Sequence, residues 1–202
     1  MTIAAVVLDI GNVLIEWRPE RFYDREIGEA RRREMFDAVD LHAMNDRVDL
    51  GEPFREVIYE TARAYPAFRD EIRMWHDRWI ELAQPVISQS VTLMARLQAQ
   101  GVPVFALSNF GIESFALGRR YYPFLDRFDR AYISGHLRMA KPDPAIFAHV
   151  EAESGIAPEN LLFTDDRTDN IAAADVRGWK THLFDGPDNW AARLIEDGLL
   201  PD

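Results

Sequence analysis

Four short runs of apolar and β-branched residues restrict the fold of this chain more than any other feature. They cover residues 4–8, 103–107, 161–164 and 180–184, and a weaker fifth run covers 131–134. Runs of this length without polar alternation indicate strands buried on both faces, as in a parallel sheet. Helical patterns lie between them, at residues 90–100, 144–153 and 170–177. The alternation predicts an α/β fold with a doubly wound parallel sheet.

Residues 17–83 interrupt this alternation with helical periods, many charges and no clear strand pattern, and the clearest helices cover 53–65 and 67–82. A stripe at spacings of three and four in the second indicates packing between helices; it consists of Phe68, Ile72, Trp75, Trp79 and Leu82. We therefore predict a core domain of residues 1–16 and 84–202 and a helical cap domain of residues 17–83. An insertion at the carboxyl end of a strand lies over the crevice where open α/β sheets bind ligands.

Composition and charge exclude several classes of protein. The chain has no cysteine, which excludes disulfides, iron–sulfur clusters, thiolate zinc sites and Cys nucleophiles. Its net charge of −11 argues against nucleic acid or an anionic membrane as a partner. No stretch approaches the ~20 apolar residues of a membrane span, and the N-terminal run lacks the basic start of a secretory signal. We expect a cytoplasmic enzyme, and no pattern in the sequence indicates an oligomeric state.

Polar side chains follow the first two runs at the point where each predicted strand ends. Asp9 follows the first run, where a carboxylate can attack phosphorus or bind a hard cation. Gly11 allows a ligand to approach the backbone, and Asn12 can brace the turn. Ser108 and Asn109 end the second run, where a hydroxyl and adjacent N–H groups can hold an anion. A helix cap or turn is the alternative role at both places.

Two further groups of candidate site residues lie later in the sequence. Lys141 precedes a Pro-Asp-Pro segment at the start of a helical pattern, and a rigidly held lysine can clamp an anion. Asp165 and Asp166 follow the third run, with Asn170 four residues later. Adjacent carboxylates repel each other and need a cation, and oxygen ligands of this kind suit Mg²⁺. The alternative is helix capping, but the four clusters together supply the parts that phosphoryl transfer requires.

In their order and spacing these motifs resemble those of the haloacid dehalogenase-like hydrolase superfamily, over essentially the whole chain. The stretch DIGNVLIEW, residues 9–17, resembles the branch of bacterial sugar-phosphatase-like proteins whose first motif reads D-x-G-N-V. The resemblance implies that Asp9 is a nucleophile forming an aspartyl-phosphate, and that Ser108 and Lys141 act with it. The implied phosphate site is Gly11, Asn12, Ser108, Asn109 and Lys141. The implied Mg²⁺ ligands are Asp9, Gly11, Asp165, Asp166 and Asn170. The implied substrate is a small phosphorylated metabolite, by default a sugar phosphate.

Gly11 departs from the pattern of the superfamily's phosphatases, most of which carry at this position an Asp that protonates the leaving group. Its dehalogenases also lack that acid, so a metal-free 2-haloacid dehalogenase using Asp9 is one alternative. Asp165 and Asp166 replace the serines typical of those dehalogenases, and Phe147 replaces their tyrosine, which favours a phosphatase. The arginines in the region that would bind halide are Arg25, Arg31, Arg32 and Arg33.

A second alternative is a weak or inactive family member that binds a phosphorylated ligand or a protein partner. For an active phosphatase, the missing acid leaves three solutions: an activated leaving group, a proton from the substrate, or an acid from the cap. Glu16, His42 and His76 are candidates for the last solution. The segment around Asp46 and Arg47 is also placed to face the site.

Overall fold

The computed structural model describes residues 2–201, which form seven strands and twelve α-helices. The first part of the chain contains β1 (Ala5–Leu8), β2 (Ile15–Trp17), α1 (Pro19–Ile27), α2 (Glu29–Ala38), α3 (Leu41–Asp49), α4 (Phe54–Ala64), α5 (Arg69–Asp77), α6 (Trp79–Leu82) and β3 (Ala83–Val86). The second part contains α7 (Ser88–Ala99), β4 (Val104–Ser108), α8 (Ile112–Tyr121), β5 (Arg130–Ile133), α9 (Ser134–Leu137), α10 (Pro144–Ser154), β6 (Leu161–Asp165), α11 (Thr168–Val176), β7 (Lys180–Leu183) and α12 (Pro187–Glu196).

Five strands form a parallel sheet in the order β5-β4-β1-β6-β7. Side chains along β1 alternate between two apolar clusters, with Val6 and Leu8 in one and Ala5 and Val7 in the other. Helices α7 and α12 contribute to the first cluster, and α10 and α11 contribute to the second. The sheet is therefore covered by helices on both faces, which confirms the predicted fold class.

The register of this sheet brings the carboxyl ends of three strands to one edge. Leu8 of β1 lies beside Thr164 of β6 and beside Ala106 of β4. The Asp9 N–H donates to the Thr164 carbonyl at 3.0 Å, so the chain leaves β1 next to the end of β6. Asp9, Ser108 and Asp165 consequently occur at neighbouring strand ends, the position where open α/β sheets bind ligands.

Helices α1 to α6 lie between β2 and β3, which pair with each other as an antiparallel two-stranded sheet. Ile15 is opposite Val86, so this short ribbon joins both ends of the helical segment to the core. The sequence pattern did not predict these strands, because neither is a continuous apolar run: β2 reads Ile-Glu-Trp, and β3 reads Ala-Gln-Pro-Val. The division into a core and a cap at residues 16/17 and 83/84 stays a prediction.

The predicted single helix over residues 67–82 is wrong in its continuity. A 3₁₀ turn covers Pro66–Phe68, and α5 and α6 are separated at Arg78, whose φ of −124° and ψ of 25° are not helical. The break lets Trp79 pack against Phe110 of the core, with ring centroids 5.5 Å apart. The apolar stripe itself is buried as predicted. Within residues 2–201, no helix combines the length and apolarity that crossing a bilayer would require.

Candidate active site

A buried ammonium group lies between two buried carboxylates at the edge where the strands end. Lys141 Nζ is 3.0 Å from Asp9 Oδ1 and 2.5 Å from Asp165 Oδ2. All three side chains are almost fully removed from solvent. Buried charges persist only when they are paired and hydrogen-bonded, and here one cation serves two anions. The group carries a net negative charge that suits a further cation.

Reciprocal hydrogen bonds hold Lys141 in place. The Asn109 side chain accepts from the Lys141 backbone N–H at 2.8 Å and donates to the Lys141 carbonyl at 2.8 Å. The ammonium lies 5.4 Å from the centre of the Phe163 ring on β6. Both polar atoms of the Asn109 amide are therefore engaged with the lysine backbone, and a direct contact of Asn109 with phosphate stays a prediction.

The charge state of the pair follows from burial and proximity. The pKa of Asp9 is raised to about 6. Burial is the main cause and the Asp165 carboxylate adds to it, against the opposing effect of the Lys141 ammonium. Asp9 also accepts hydrogen bonds from the Ile10 N–H at 2.8 Å and from the Ser108 hydroxyl. Burial alone would lower the pKa of Lys141, but the two carboxylates outweigh burial and raise it. Above pH 6 Asp9 is therefore an ionised nucleophile beside a charged lysine.

Three carboxylates form a cluster that suits a divalent cation. Oxygen atoms of Asp9, Asp165 and Asp166 all lie within 4.8 Å of one another. The carboxylate of Asp166 is partly buried, and burial raises its pKa. Asn170 Oδ1 is buried without a hydrogen-bond partner in the described chain, which is unusual for such an atom. A donor set made only of oxygen atoms, with one unpaired acceptor beside it, fits Mg²⁺.

Within this cluster Asp165 is already saturated by protein donors. Its Oδ1 accepts from the Arg167 N–H at 2.8 Å, and its Oδ2 accepts from Lys141. The Asn170 amide donates to both oxygens at 3.0 Å. Asp165 therefore orients Lys141 and Asn170, whereas Asp9 and Asp166 have more capacity left for a cation.

The turn after β1 is organised by Asn12, which has a left-handed φ of 54°. Its Oδ1 accepts from the Trp17 N–H and its Nδ2 donates to Asp166 Oδ2, both at 2.9 Å. Gly11 is different, because its φ lies outside the left-handed region and a Cβ there would meet only Trp17 Cβ at 3.9 Å. Neither backbone conformation nor space requires glycine at position 11. Neither strain nor lack of space therefore explains why this chain lacks the acid that most phosphatases of the superfamily carry at this position.

A cavity of about 340 Å³ opens between this cluster and the helical segment. Eight of the nine residues predicted for the site line it: Asp9, Gly11, Asn12, Ser108, Asn109, Lys141, Asp166 and Asn170. Asp165 is fully buried behind them. Aromatic side chains also line the cavity, with Trp17 from β2, Trp79 from α6 and Phe110 from the loop after β4. The cavity therefore combines a charged base with partly apolar walls.

The candidate acids predicted from the sequence differ in whether they line the cavity. Glu16 and His42 line the cavity, whereas His76 does not and packs against Phe54 at 4.8 Å. Asp46 lines the cavity, but Arg47 forms ion pairs with two glutamates on the surface. The four arginines considered for halide binding do not line it, and each pairs with a nearby acid: Arg25, Arg31, Arg32 and Arg33.

Sequence reasoning missed Asp49, the last residue of α3, which lines the same cavity. The pKa of Asp49 is raised to about 7, mainly by burial and in addition by the nearby charges of Asp46 and Asp9. Its place in the sequence, one helical turn after Asp46 and two residues before Gly51, was the available signal. That signal is weak, because no fixed spacing connects α3 to the four motifs of the core.

Comparison with curated proteins gives relatives of low overall identity. A drimenol cyclase of Aspergillus calidoustus is 23% identical over 95% of this chain, which spans only 36% of that protein's length. A sesquiterpene phosphatase of Aspergillus oryzae is 23% identical, with 91% of each chain covered. A D-ribitol-5-phosphate phosphatase of Bacteroides thetaiotaomicron is 32% identical over 36% of this chain and 35% of its own.

Solved structures share the fold. A HAD family enzyme of Bacteroides thetaiotaomicron superposes with a TM-score of 0.74 at 23% identity, covering 96% of this chain and 99% of the other. The same enzyme has also been solved in complex with magnesium and inorganic phosphate, with a TM-score of 0.67. L-2-haloacid dehalogenase of Xanthobacter autotrophicus has a TM-score of 0.63 at 19% identity, covering 99% of this chain and 85% of its own. The fold alone therefore does not separate phosphatase from dehalogenase.

The sequence profile of one protein family matches residues 3–176, which include β1 through α11 and every predicted site residue. The order of motifs, the parallel sheet and the cluster at its edge agree with that match. The chain belongs to the haloacid dehalogenase-like hydrolase family.

Proposed function

We propose that this hydrolase is a Mg²⁺-dependent phosphomonoesterase that acts on a small phosphorylated metabolite through an aspartyl-phosphate on Asp9. The observation that carries the proposal is the acidic cluster of Asp9, Asp165 and Asp166 around Lys141, with the unpaired Asn170 oxygen beside it. A phosphoryl group brings negative charge, so a site that receives it needs a lysine and a divalent cation to compensate its own carboxylates.

Each residue contributes a separate part of this chemistry. The ionised Asp9 carboxylate attacks phosphorus, and the P–O bond to the leaving group breaks. Lys141, held by Asp165 and Asn109, and the Ser108 hydroxyl bind phosphoryl oxygens. Asp9, Asp166, the Gly11 carbonyl and Asn170 would hold a divalent cation, which would supply further neutralisation of phosphoryl charge. Asp165 takes part through the hydrogen bonds that orient its neighbours.

Three observations argue against the metal-free dehalogenase. The acids Asp165 and Asp166 would repel each other and a substrate carboxylate if no cation were bound. Phe147, at the position of the dehalogenases' tyrosine, is buried under the sheet against Phe163 and Trp179 and does not line the cavity. The four candidate arginines are paired elsewhere. Phosphatases among the relatives, and magnesium with phosphate in a structural neighbour, support the same preference.

The test is phosphate release from a panel of sugar phosphates and isoprenoid phosphates, with Mg²⁺ and with EDTA, beside halide release from 2-haloacids. We expect phosphate release that requires Mg²⁺, because the acidic cluster needs a cation before it can accept a phosphoryl group. Sugar phosphates are the first choice of substrate, and the aromatic cavity walls justify the isoprenoid compounds. Halide release that ignores EDTA would overturn the proposal in favour of a dehalogenase, and neither product would favour a ligand-binding role.

Asp166→Asn is expected to weaken activation by Mg²⁺. The substitution removes a carboxylate with free coordination capacity while keeping an acceptor for Asn12. The Mg²⁺ concentration for half-maximal activity should rise by at least about 10- to 100-fold, because even the loss of a residue that only supports a ligand typically weakens metal binding by that factor. Asp169→Asn is the matched control, since Asp169 pairs with Arg167 on the surface and should leave the titration unchanged. An Asp166→Asn enzyme with an unaltered Mg²⁺ titration would contradict the assignment.

A further inference from the structure

We propose that Asp49 is the general acid and base of this active site, replacing the acid missing at Gly11, an inference that rests on the proposed phosphatase activity. Asp49 ends α3 in the helical segment and lines the same cavity as Asp9 and Asp166. Three features carry the inference: the fixed position of the α3 end, the orientation of the carboxyl group, and its access to the cavity that Asp9 also lines.

The end of α3 is docked tightly on the core. Ser134 Oγ at the start of α9 donates to the Asp49 carbonyl at 2.6 Å and accepts from the Phe110 N–H at 2.8 Å. A Cβ on Gly111 would lie 2.5 Å from Val48 Cγ1, and a Cβ on Gly51 would lie 2.5 Å from the Gly135 carbonyl oxygen. Because these two glycines have no side chains, the end of α3 can lie close to the core. Asp49 is therefore held against the loop that follows Ser108.

The carboxyl group of Asp49 is oriented by two donors. Asn45 Nδ2 donates to Asp49 Oδ2 at 2.8 Å, and the Gly111 N–H also donates to the carboxylate. The Asn45 amide is itself fixed, because its Oδ1 accepts from the buried Trp75 Nε1 at 3.0 Å. The hydrogen bonds from Trp75 to Asn45 and from Asn45 to Asp49 thus fix the orientation of the Asp49 carboxyl group. A fixed orientation is expected for a group that must meet a substrate atom in one geometry.

The two candidate groups predicted from the sequence that line the cavity, Glu16 and His42, are committed to surface pairs. Glu16 forms an ion pair with Arg21 at 2.6 Å. The His42 side chain is 59% exposed and lies 3.3 Å from Glu20. Asp49 instead has only uncharged donors among its hydrogen-bond partners, and the charges that act on it come from Asp46 on α3 and Asp9 after β1. Its pKa, raised by burial to about 7, lets it exchange a proton near neutral pH, which general acid–base catalysis requires.

The two steps balance in atoms and charge. In the first, an Asp9 oxygen forms a bond to phosphorus, the bond from phosphorus to the leaving oxygen breaks, and the Asp49 proton moves to that oxygen to give the alcohol. In the second, water attacks phosphorus, its proton passes to the Asp49 carboxylate, and the phosphorus bond to Asp9 breaks. Inorganic phosphate leaves, and both aspartates return to their starting protonation states.

The experiment compares Asp49→Asn with the wild-type enzyme on p-nitrophenyl phosphate and phenyl phosphate, in the presence of Mg²⁺. The p-nitrophenolate ion leaves without a proton, whereas the more basic phenolate depends on an acid. We expect Asp49→Asn to lose about 10²-fold or more in kcat/KM on phenyl phosphate and to keep nearly all of its kcat/KM on p-nitrophenyl phosphate, because kcat/KM reports the steps up to departure of the leaving group and not the hydrolysis of the aspartyl-phosphate that both substrates share. Retained p-nitrophenyl phosphatase activity also shows that the variant folds. The wild-type rate on phenyl phosphate should fall as the pH rises above about 7, and this limb should be absent in Asp49→Asn.

Asp46→Asn is the control, because it removes one negative charge from the same helix and the same cavity. Well below pH 7, where Asp49 is protonated in both proteins, the variant's ratio of activities on the two substrates should equal that of the wild type. Its fall in rate on phenyl phosphate should begin at a lower pH, because Asp46 no longer raises the pKa of Asp49. Equal losses of kcat/KM on both substrates in Asp49→Asn would overturn the role of Asp49 as the acid while leaving the phosphatase in place. A wild-type enzyme that hydrolyses p-nitrophenyl phosphate but not phenyl phosphate would also overturn it. A wild-type enzyme that releases phosphate from neither would instead remove the phosphatase proposal itself.

Discussion

Asp9→Asn is expected to abolish turnover while the protein stays folded. The neutral amide cannot attack phosphorus, so we expect kcat to fall by on the order of 10⁴-fold or more, as when a catalytic nucleophile is removed. The amide has the same shape and keeps an oxygen for the Ile10 N–H. Lys141 retains its shorter ion pair, with Asp165. Phosphate release on the best substrate, measured beside thermal unfolding, checks both halves of this expectation.

The wild-type and Asp9→Asn proteins should unfold at nearly the same temperature, because the change removes one of two anions that share a single buried cation. A variant that keeps more than about a tenth of the activity would refute Asp9 as the nucleophile. A variant that is inactive but also unfolded would be replaced by Asp9→Glu. That residue keeps the charge but displaces the attacking oxygen, and it should also be inactive.

The main sheet was predictable because its strands are buried on both faces. Each of the five predicted runs coincides with an observed strand to within one residue at either end. A parallel strand covered by helices tolerates few polar residues, so an acid or hydroxyl at its end is conspicuous in the sequence. Asp9, Ser108 and Asp165 stand at such ends, and the sheet register brings them together.

Other parts of the site depend on contacts that no local pattern contains. The β2–β3 ribbon joins segments some 70 residues apart, and one of its strands contains Pro85, a residue disfavoured in strands. The break between α5 and α6 follows from packing of Trp79 against the core. Asp49 is placed by Ser134, Gly111 and Gly135, which are distant in sequence. Tertiary packing, rather than propensity, determines these features.

The lysine at position 141 shows how composition can sharpen a weak signal. A lysine before a proline-rich turn is ordinary in most proteins, but this chain has only two lysines, Lys141 and Lys180, against 21 arginines. Where cations are so consistently arginine, a lysine indicates a site that needs a compact charge. The structure agrees, since the space between the Asp9 and Asp165 carboxylates is bridged by a single ammonium group.

Lys141→Met should therefore cost both activity and stability. It leaves Asp9 and Asp165 buried and facing each other without their cation, and breaking a buried pair from one side typically costs about 3–5 kcal/mol. We expect a loss of that size in the free energy of unfolding at pH 8, measured by urea denaturation. Phosphate release should disappear as well, because the clamp on the phosphoryl group is gone.

The pH dependence of that loss separates charge from packing. Burial already raises the pKa of Asp9, and without Lys141 this pKa should rise further, so the folded variant binds a proton that the unfolded chain has released. Its stability should then fall as the pH rises from about 5 to 8, and the difference from the wild type should shrink at the acid end. Lys180→Met, on the partly exposed strand β7, is the matched control and should show no such trend. A pH-independent loss in Lys141→Met would mean that packing of the aliphatic stem, rather than the charge, accounts for the effect.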